Sequence, residues 1–354
     1  MKKLLSVFLV LSLLLCGCGE IPAPAATQPM PGLSADSTGD NILTVHYIDV
    51  GQADCILLET EGQFVLIDGG NRDDSQLVVS YLQQEGVEEL AAVVCTHAHE
   101  DHVGGLPAVL AVYPTAVVYA PTRTYSSKIF DDFVYYTDQQ GLEITIPNPG
   151  DSFLLGQAKL TVLGPVKSYA ETNDTSIVLL VEFLETRFLF TGDMETPAEN
   201  DMLDYWGDRV DWDVDVLKVG HHGSTTSSGY RFVYETDPEY AVVSVGADNS
   251  YGHPHEEVVS RYGDAGIPLL RTDELGHIQA VTDGYQITLT WQDQSAAPSD
   301  VEPGETMTYI GNKNSKKLHS PDCDSLPKEE NRVYFDSYEE AAEEGFTPCG
   351  NCLG

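Results

Sequence analysis

The chain has 354 residues, 42% of them hydrophobic and 9% aromatic, enough for one large core or two smaller ones and incompatible with the composition of a disordered chain. Its 18 Lys+Arg against 56 Asp+Glu give a net charge of -38, which excludes a protein that grips nucleic acid over its general surface, since such binding draws on clustered cations. Any chemistry on a polyanion must be confined to a local site.

At the N-terminus, Lys2 and Lys3 precede an apolar run over 4–15 that is too short to span a bilayer, the pattern of an export signal. The run ends in Leu15-Cys16-Gly17-Cys18, which is similar to a bacterial lipobox: small Gly17 precedes the cut and Cys18 becomes the lipid-bearing residue. A plain secretory peptide with incidental cysteines is the competing reading. Residues 1–17 are thus expected to be a lipoprotein signal peptide, and 18–40, rich in Pro, Ala, Ser, Thr and Gly, a flexible tether. A body over 41–292, a linker over 293–307 (QSAAPSDVEPGE within it) and a tail over 308–354 follow. This order places the chain outside the cytoplasm, lipid-anchored to the outer face of the membrane.

Within the body, short runs rich in Val, Ile and Leu recur at strand length over 42–49, 55–59, 64–67, 91–95, 116–119, 159–163, 177–183, 188–190, 214–219 and 241–245. Helical stretches fall between some of them, over 75–85, 106–112, 198–205 and 256–262, so sheets with helices packed outside them, an α/β layered body, are expected. Directly after the 91–95 strand comes THAHEDHVGG (96–105), with five potential metal ligands in six residues. In an extended loop alternate residues project the same way, so His97, His99 and Asp101 converge and His102 adds an imidazole beside Asp101. Gly104 and Gly105 would let the backbone turn tightly into the next helix. Cys55 and Cys95 lie inside apolar runs and read as buried thiols.

This HxHxDH run resembles the metallo-β-lactamase fold, and further blocks narrow the likeness to the extracellular hydrolase-like domain of ComEC-type competence proteins. They are HYIDVGQADCILL (46–58), LIDGG (66–70), NDTSIVLL (173–180), FLFTGD (188–193), DVLKVGHHGS (215–224) and SYGHPH (250–255). The resemblance implies a four-layer αββα sandwich with a two-metal site at one edge of the paired sheets. It implies that His97 and His99 hold the first metal, that Asp101, His102 and one of His221 and His222 hold the second, and that Asp193 bridges both. His221, next to the strand end, is the expected ligand, and His222 the expected donor or proton shuttle facing the substrate. Asp101, Asp193 and His222 then form the expected catalytic set.

The histidine that usually completes the first metal's ligands is missing, for none occurs between His102 and His221. Asp174 is the expected substitute, with Asn173 second, and an Asn-Asp turn is the plain alternative. With Asp174 as ligand, carboxylates at 101, 174 and 193 plus a bridging hydroxide would balance two divalent cations, and the added oxygen donor widens the metal choice from Zn²⁺ towards Mn²⁺. Asp49, Gln52 and Asp54 are expected in a loop supporting the metal edge or, for the two aspartates, in a β-turn. Asp68 is expected to buttress the metal loop, and Tyr251, His253 and His255 to line the mouth of the pocket or to sit on the surface.

In the tail, His319-x3-Cys323 followed by Cys349-x2-Cys352 has the ligand count and spacing of a closed structural zinc site; a disulfide among the cysteines would leave one odd and His319 unexplained. Together with Tyr309-Ile310-Gly311-Asn312 and Gly345-Phe346-Thr347-Pro348-Cys349, this segment resembles the Ada-type metal-binding module. His319 stands where the alkyl-accepting cysteine of the repair members would be, and an imidazole is no thiolate nucleophile, so a structural or DNA-docking module without alkyl transfer is expected. Residues 308–354 hold five Lys+Arg against nine Asp+Glu, which speaks against docking on DNA.

The function these features imply is a surface-anchored metal-dependent hydrolase, a phosphodiesterase or nuclease acting on single- or double-stranded DNA through a dinuclear-metal-bound hydroxide, with a competence channel as a candidate partner. The alternatives are hydrolysis of another ester or phosphoester, such as wall choline phosphate or a lactone, and a DNA-binding accessory protein with a vestigial metal site.

Overall fold

The computed structural model describes residues 41–293 and 309–353, apart from 322, 324, 336, 337 and 351. The expected signal peptide, Cys18 and the tether lie outside the described residues, as does nearly all of the linker.

Two sheets face each other. One has eight strands, running from the Ile287–Trp291 edge through Ile278–Thr282, Leu43–Tyr47, Ile56–Thr60, Gln63–Ile67, Ala92–Val94 and Val118–Tyr119 to Ile144–Thr145. The other has seven, from Leu269–Arg271 through Tyr240–Val243, Val216–Lys218, Thr186–Phe190, Val178–Phe183 and Ala158–Gly164 to Ser152–Leu155. Strand alternation explains the layering: Leu43, Val45 and Tyr47 point between the sheets, as do Phe188, Phe190 and Val216 from the other side. Residues of opposite parity, such as Leu189, Leu217 and Val243, pack against Thr196–Trp206, Tyr230–Thr236 and Glu256–Asp264. Leu57, Leu66 and Val93 likewise pack under Ser75–Gln84, Leu106–Val112 and Lys128–Gln139. Both faces of each sheet are apolar, so helices must cover the outside, and the result is an αββα sandwich of the expected class.

Several elements went beyond the expected ones. Ile278–Thr282 alternates buried with half-buried residues and Ile287–Trp291 half-buried with exposed ones, so both lack the continuous apolar run of a central strand. Lys128–Gln139 starts at a Ser127 cap that accepts a hydrogen bond from Phe130 N and buries Ile129, Phe130, Phe133 and Thr137.

In the middle of each sheet the strands run parallel: Val65 pairs with Ala92 and Val93 with Val118 in one, Phe188 with Val216 and Val216 with Tyr240 in the other. Their C-terminal ends therefore lie on one edge of the sandwich. Loops leaving Ile67, Val94, Phe190 and Lys218 carry Asp68, the 96–102 motif, Asp193 and the His221-His222 pair to that edge, where open α/β sheets place their sites. Gly104 and Gly105 serve close approach rather than a special turn, since Gly104 is helical (φ -55). A Cβ on Gly104 would stand 2.4 Å from Arg72 N, and one on Gly105 2.1 Å from Gly69 O.

The tail forms its own four-stranded sheet, in the order Arg332–Phe335, Tyr309–Asn312, Lys317–His319, Thr347–Pro348. Its small core of Tyr309, Leu318, Phe335, Ala341, Phe346 and Leu353 also takes in Tyr230 of the body.

Candidate metal centre

Asp68 organises the first loop. It sits in the left-handed region (φ 58), its Oδ1 accepts from Thr96 N at 2.7 Å, and its Oδ2 accepts from Thr96 Oγ1 at 2.7 Å and from His102 Nδ1 at 2.8 Å. That last bond fixes the His102 tautomer and leaves Nε2 facing Asp193 Oδ1 at 3.2 Å, a carboxylate–imidazole arrangement of the kind that backs metal ligands. His222 is aimed in the same way. Its Nδ1 donates to the Ser244 carbonyl at 2.9 Å, and its Nε2 stands 3.4 Å from Asp101 Oδ2 and 3.7 Å from Asp193 Oδ2.

The ligand atoms of Asp101, His102, Asp193 and His222 all lie within 4.8 Å of one another. His102 Nε2, Asp193 Oδ1 and His222 Nε2 are buried without a hydrogen-bond partner, which is costly unless a cation takes their lone pairs. Protonation is another way to settle this charge. Burial pushes His102 and His222 down, but the carboxylates of Asp193 and Asp68 outweigh it for His102, and those of Asp193, Asp54 and Asp101 raise His222 to about 10. Opposing its own burial, Asp193 is held well below the carboxylate range by His102 and His222. These donors fit a divalent cation, which would replace the shared protons.

Asp193 also reaches the first-metal side. His97 Nε2 lies 3.8 Å from Asp193 Oδ2 and 3.0 Å from His99 Nδ1, while burial and then His102 push His97 well below its ordinary value, the neutral state a ligand needs. Gly192 lets the chain pass close by: it has φ 53, and a Cβ there would meet Thr96 Oγ1 at 2.9 Å.

Two expected assignments need correction. The first concerns the histidine pair. Both residues occupy the left-handed region (φ 48 and 52), a strained stretch that points successive side chains apart. His222 is 1% exposed and joins the cluster. His221, expected as the ligand, lies outside that cluster: its Nε2 is 3.8 Å from Asp193 Oδ2, and its Nδ1 is held by Thr226 Oγ1 at 3.0 Å and Glu195 Oε1 at 3.3 Å. The second concerns Asp174. In the short 3-10 turn Asn173–Thr175, its Oδ1 accepts from Glu195 N at 3.1 Å, so that oxygen is engaged away from the histidines. Asn173 lines the cavity and has its Oδ1 buried without a hydrogen-bond partner, which makes it the alternative oxygen donor.

The cavity, about 460 Å³, is lined by Gln52, Asn71, His99, Glu100, Asp101, Asn173, Asp193, His221, His222, Tyr251 and His253. Gln52 Oε1 accepts from Gly246 N at 3.1 Å, and its Nε2 stands 3.3 Å from His253 Nδ1. Tyr251, 67% exposed, stacks on His253. His255 does not line the cavity: its Nδ1 accepts from Thr225 N at 3.0 Å, at the start of the Glu256–Asp264 helix. Asp49 makes a turn, accepting from Gly51 N at 3.1 Å.

Lys218 escaped the sequence reading, although a lysine inside the apolar run 214–219 was a visible signal. It is fully buried, with Nζ 2.8 Å from Asp54 Oδ2 and donating to the Val219 carbonyl at 2.9 Å. Asp54, otherwise opposed by its burial, is lowered to about 2 by Lys218 and His222, and its Oδ1 lies 3.4 Å from His222 Nδ1. The pair thus steadies the ligand from behind. Replacing Lys218 by Met strands a buried carboxylate and is expected to cost about 3–5 kcal/mol. Chemical denaturation should show the Lys218→Met/Asp54→Asn double variant recovering more than half of that loss; no recovery would dissolve the pairing.

At the tail, ligand atoms of His319, Cys323, Cys349 and Cys352 lie within 4.8 Å of one another, and no described cysteine is in a disulfide. Burial opposes it, but hydrogen bonds from Ser325, His319 and Cys352 lower Cys323 to about 6, ready as a thiolate.

Residues 48–247 match the Metallo-beta-lactamase superfamily, and residues 304–353 the Metal binding domain of Ada. The chain is 30% identical over 254 residues to ComE operon protein 3 of Bacillus subtilis (strain 168), covering 66% of this chain and 32% of that protein. It is 31% identical over 249 residues to Competence protein ComA of Neisseria gonorrhoeae, covering 69% and 33%. The chain thus spans about a third of the length of these relatives. Among solved structures, the metallo-beta-lactamase fold protein YhfI from Bacillus subtilis aligns with a TM-score of 0.46 at 13% identity, covering 65% of this chain and 95% of that one.

Proposed function

The chain belongs to the metallo-beta-lactamase superfamily, as a metal-dependent hydrolase fold, and from that premise we propose that it is a phosphodiesterase cleaving DNA outside the cytoplasm. The carrying observation is the position of Asp193 in the cavity lining, with Oδ1 facing His102 and Oδ2 facing His97, His221 and His222. His97, His99 and Asn173 would hold one divalent cation, Asp101, His102 and His222 the other, with Asp193 between them. When bound, the two cations supply a lowered water pKa and Lewis-acid stabilisation of phosphoryl oxygens.

No lysine or arginine lines the cavity, so the side chains left to bind non-bridging oxygens are neutral donors: Asn71, Gln52 and His253. His221 moves the proton. Its Nδ1 is engaged by Glu195, held ionised chiefly by that same bond, and Nε2, 3.4 Å from Asn173 Nδ2 and 3.8 Å from Asp193 Oδ2, is the atom on the site side to protonate the departing alkoxide. The open, shallow mouth with exposed Tyr251 suits a chain substrate that extends beyond the cavity. We further assign the protein to the outer face of the membrane, held by a lipid on Cys18, next to a competence channel; the likeness to competence proteins and the lipobox-like run support this.

The test is a substrate panel with Mn²⁺ or Zn²⁺: single-stranded DNA, double-stranded DNA, choline phosphate esters and lactones. Cleavage of DNA above the other substrates is expected. Turnover confined to the small esters would reassign the substrate, and metal-loaded protein that binds DNA without cutting it would make this an accessory protein.

A further inference from the structure

Away from the cavity, beneath the Ser75–Gln84 helix, His46 stands on the helix-facing side of the Leu43–Tyr47 strand and is 1% exposed. Its Nδ1 is engaged by Tyr81 Oη at 3.0 Å and Gln279 Nε2 at 3.1 Å. Its Nε2 is buried and makes no hydrogen bond, although Glu59 Oε2 is only 3.4 Å away. Ligand atoms of His46, Glu59 and Glu85 all lie within 4.8 Å of one another. We propose that His46, Glu59 and Glu85 form a further divalent-cation site, of zinc class, that fastens the end of this helix to the sheet.

Three features independent of one another favour a cation there. The ring is held on its far side by Tyr81 Oη, which can accept the Nδ1 proton when Nε2 carries a cation, as in metal-bound histidines, provided that the Gln279 amide turns its oxygen to Nδ1. Neither glutamate pairs with a lysine or arginine among the described residues, so their charges are uncompensated. Glu85 is the C-cap of the helix, whose last turn carries no basic residue, so the negative end of its dipole is also unanswered. One nitrogen with two carboxylate oxygens suits Zn²⁺, whereas Ca²⁺ takes six to eight oxygens. Bonds of about 2.0–2.2 Å put tetrahedral ligands about 3.3–3.5 Å apart. Closing the present spacing therefore takes about 1 Å of movement, which the half-buried glutamates can supply by rotation while His46 stays fixed. Water would complete the tetrahedron.

The experiment counts zinc by elemental analysis in the mature chain after zinc loading and desalting, for wild type, His46→Gln and Glu85→Gln, each also in an Asp193→Asn background. Both site variants are expected to hold one equivalent fewer in either background and to lose part of the zinc-dependent rise in Tm. Glu85 is half-buried at a helix end, so its variant folds even if His46→Gln does not. An unchanged zinc count and an unchanged Tm rise in Glu85→Gln would overturn the site, whatever becomes of the cavity metals.

Discussion

Substituting His222 by Ala is expected to strip metal from the cavity and abolish turnover, whereas His221→Ala keeps its metal and loses turnover alone. The difference follows from burial and aim. His222 Nε2 faces Asp101 and Asp193 with no other partner, so its removal deletes a ligand. Altering a residue that merely backs a ligand costs about 10–100-fold in metal affinity, so loss of the ligand itself should exceed about a hundredfold. His221 lies at the cavity wall, held by Glu195 and Thr226, and its loss removes a proton donor worth about 10²–10⁴ in kcat. Metal titration with a competing chelator and single-turnover kinetics on the same two variants separate the effects. A His221→Ala protein that loses its metal, beside a His222→Ala protein that keeps it, would restore the assignment made from sequence.

That assignment failed for a physical reason that also marks how far the residues could be read. The 97–102 ligands were legible from their density after a strand end, although Asp101 and His102 stand on the short Glu100–Val103 helix and not on the extended loop expected, and Asp193 was legible because a strand end followed by Gly192 leaves few choices. Adjacent histidines in two consecutive left-handed positions break that alternation, and no spacing argument anticipates it. Asn173 and Asp174 pose the same problem within a 3-10 turn, where a one-residue difference decides which side chain meets the cavity and which caps Glu195 N. The layers of the body were legible from apolar strand runs, while the edge strand Ile287–Trp291 and its neighbour Ile278–Thr282, half polar by alternation, were not. The meaning of Lys218 required Asp54, a partner from the opposite sheet. Residue type alone cannot disclose such a pairing.

Loss of the tail's metal is expected to unfold residues 309–353 while leaving the body standing. The tail core amounts to a handful of side chains, too few to offset the chain entropy of some forty residues, whereas a zinc bound by cysteines and histidine contributes roughly 10–16 kcal/mol at neutral pH. Cys349→Ser removes a central ligand, so the module should melt outright. The consequence should then reach Tyr230, which lies in the tail's core, edge-on to Tyr309 and stacked on Tyr338. It should stop there. Arg261 covers the other face of Tyr230 and donates to the carbonyls of Ser227 and Ser228. Glu199 accepts from Ser228 N at 2.6 Å and Gly229 N at 2.9 Å, and Ser227 Oγ donates to the Met194 carbonyl at 2.8 Å. These bonds tie the segment after His221 and His222 to the body without help from the tail, so cavity metal should be retained. Hydrogen exchange read by mass spectrometry should show Cys349→Ser losing protection over 309–353 and partly over 230–236, with 92–105 and 186–224 unchanged. Protection lost across the metal loops would mean that the tail braces the catalytic edge, and protection kept in the tail would mean that its fold does not depend on zinc.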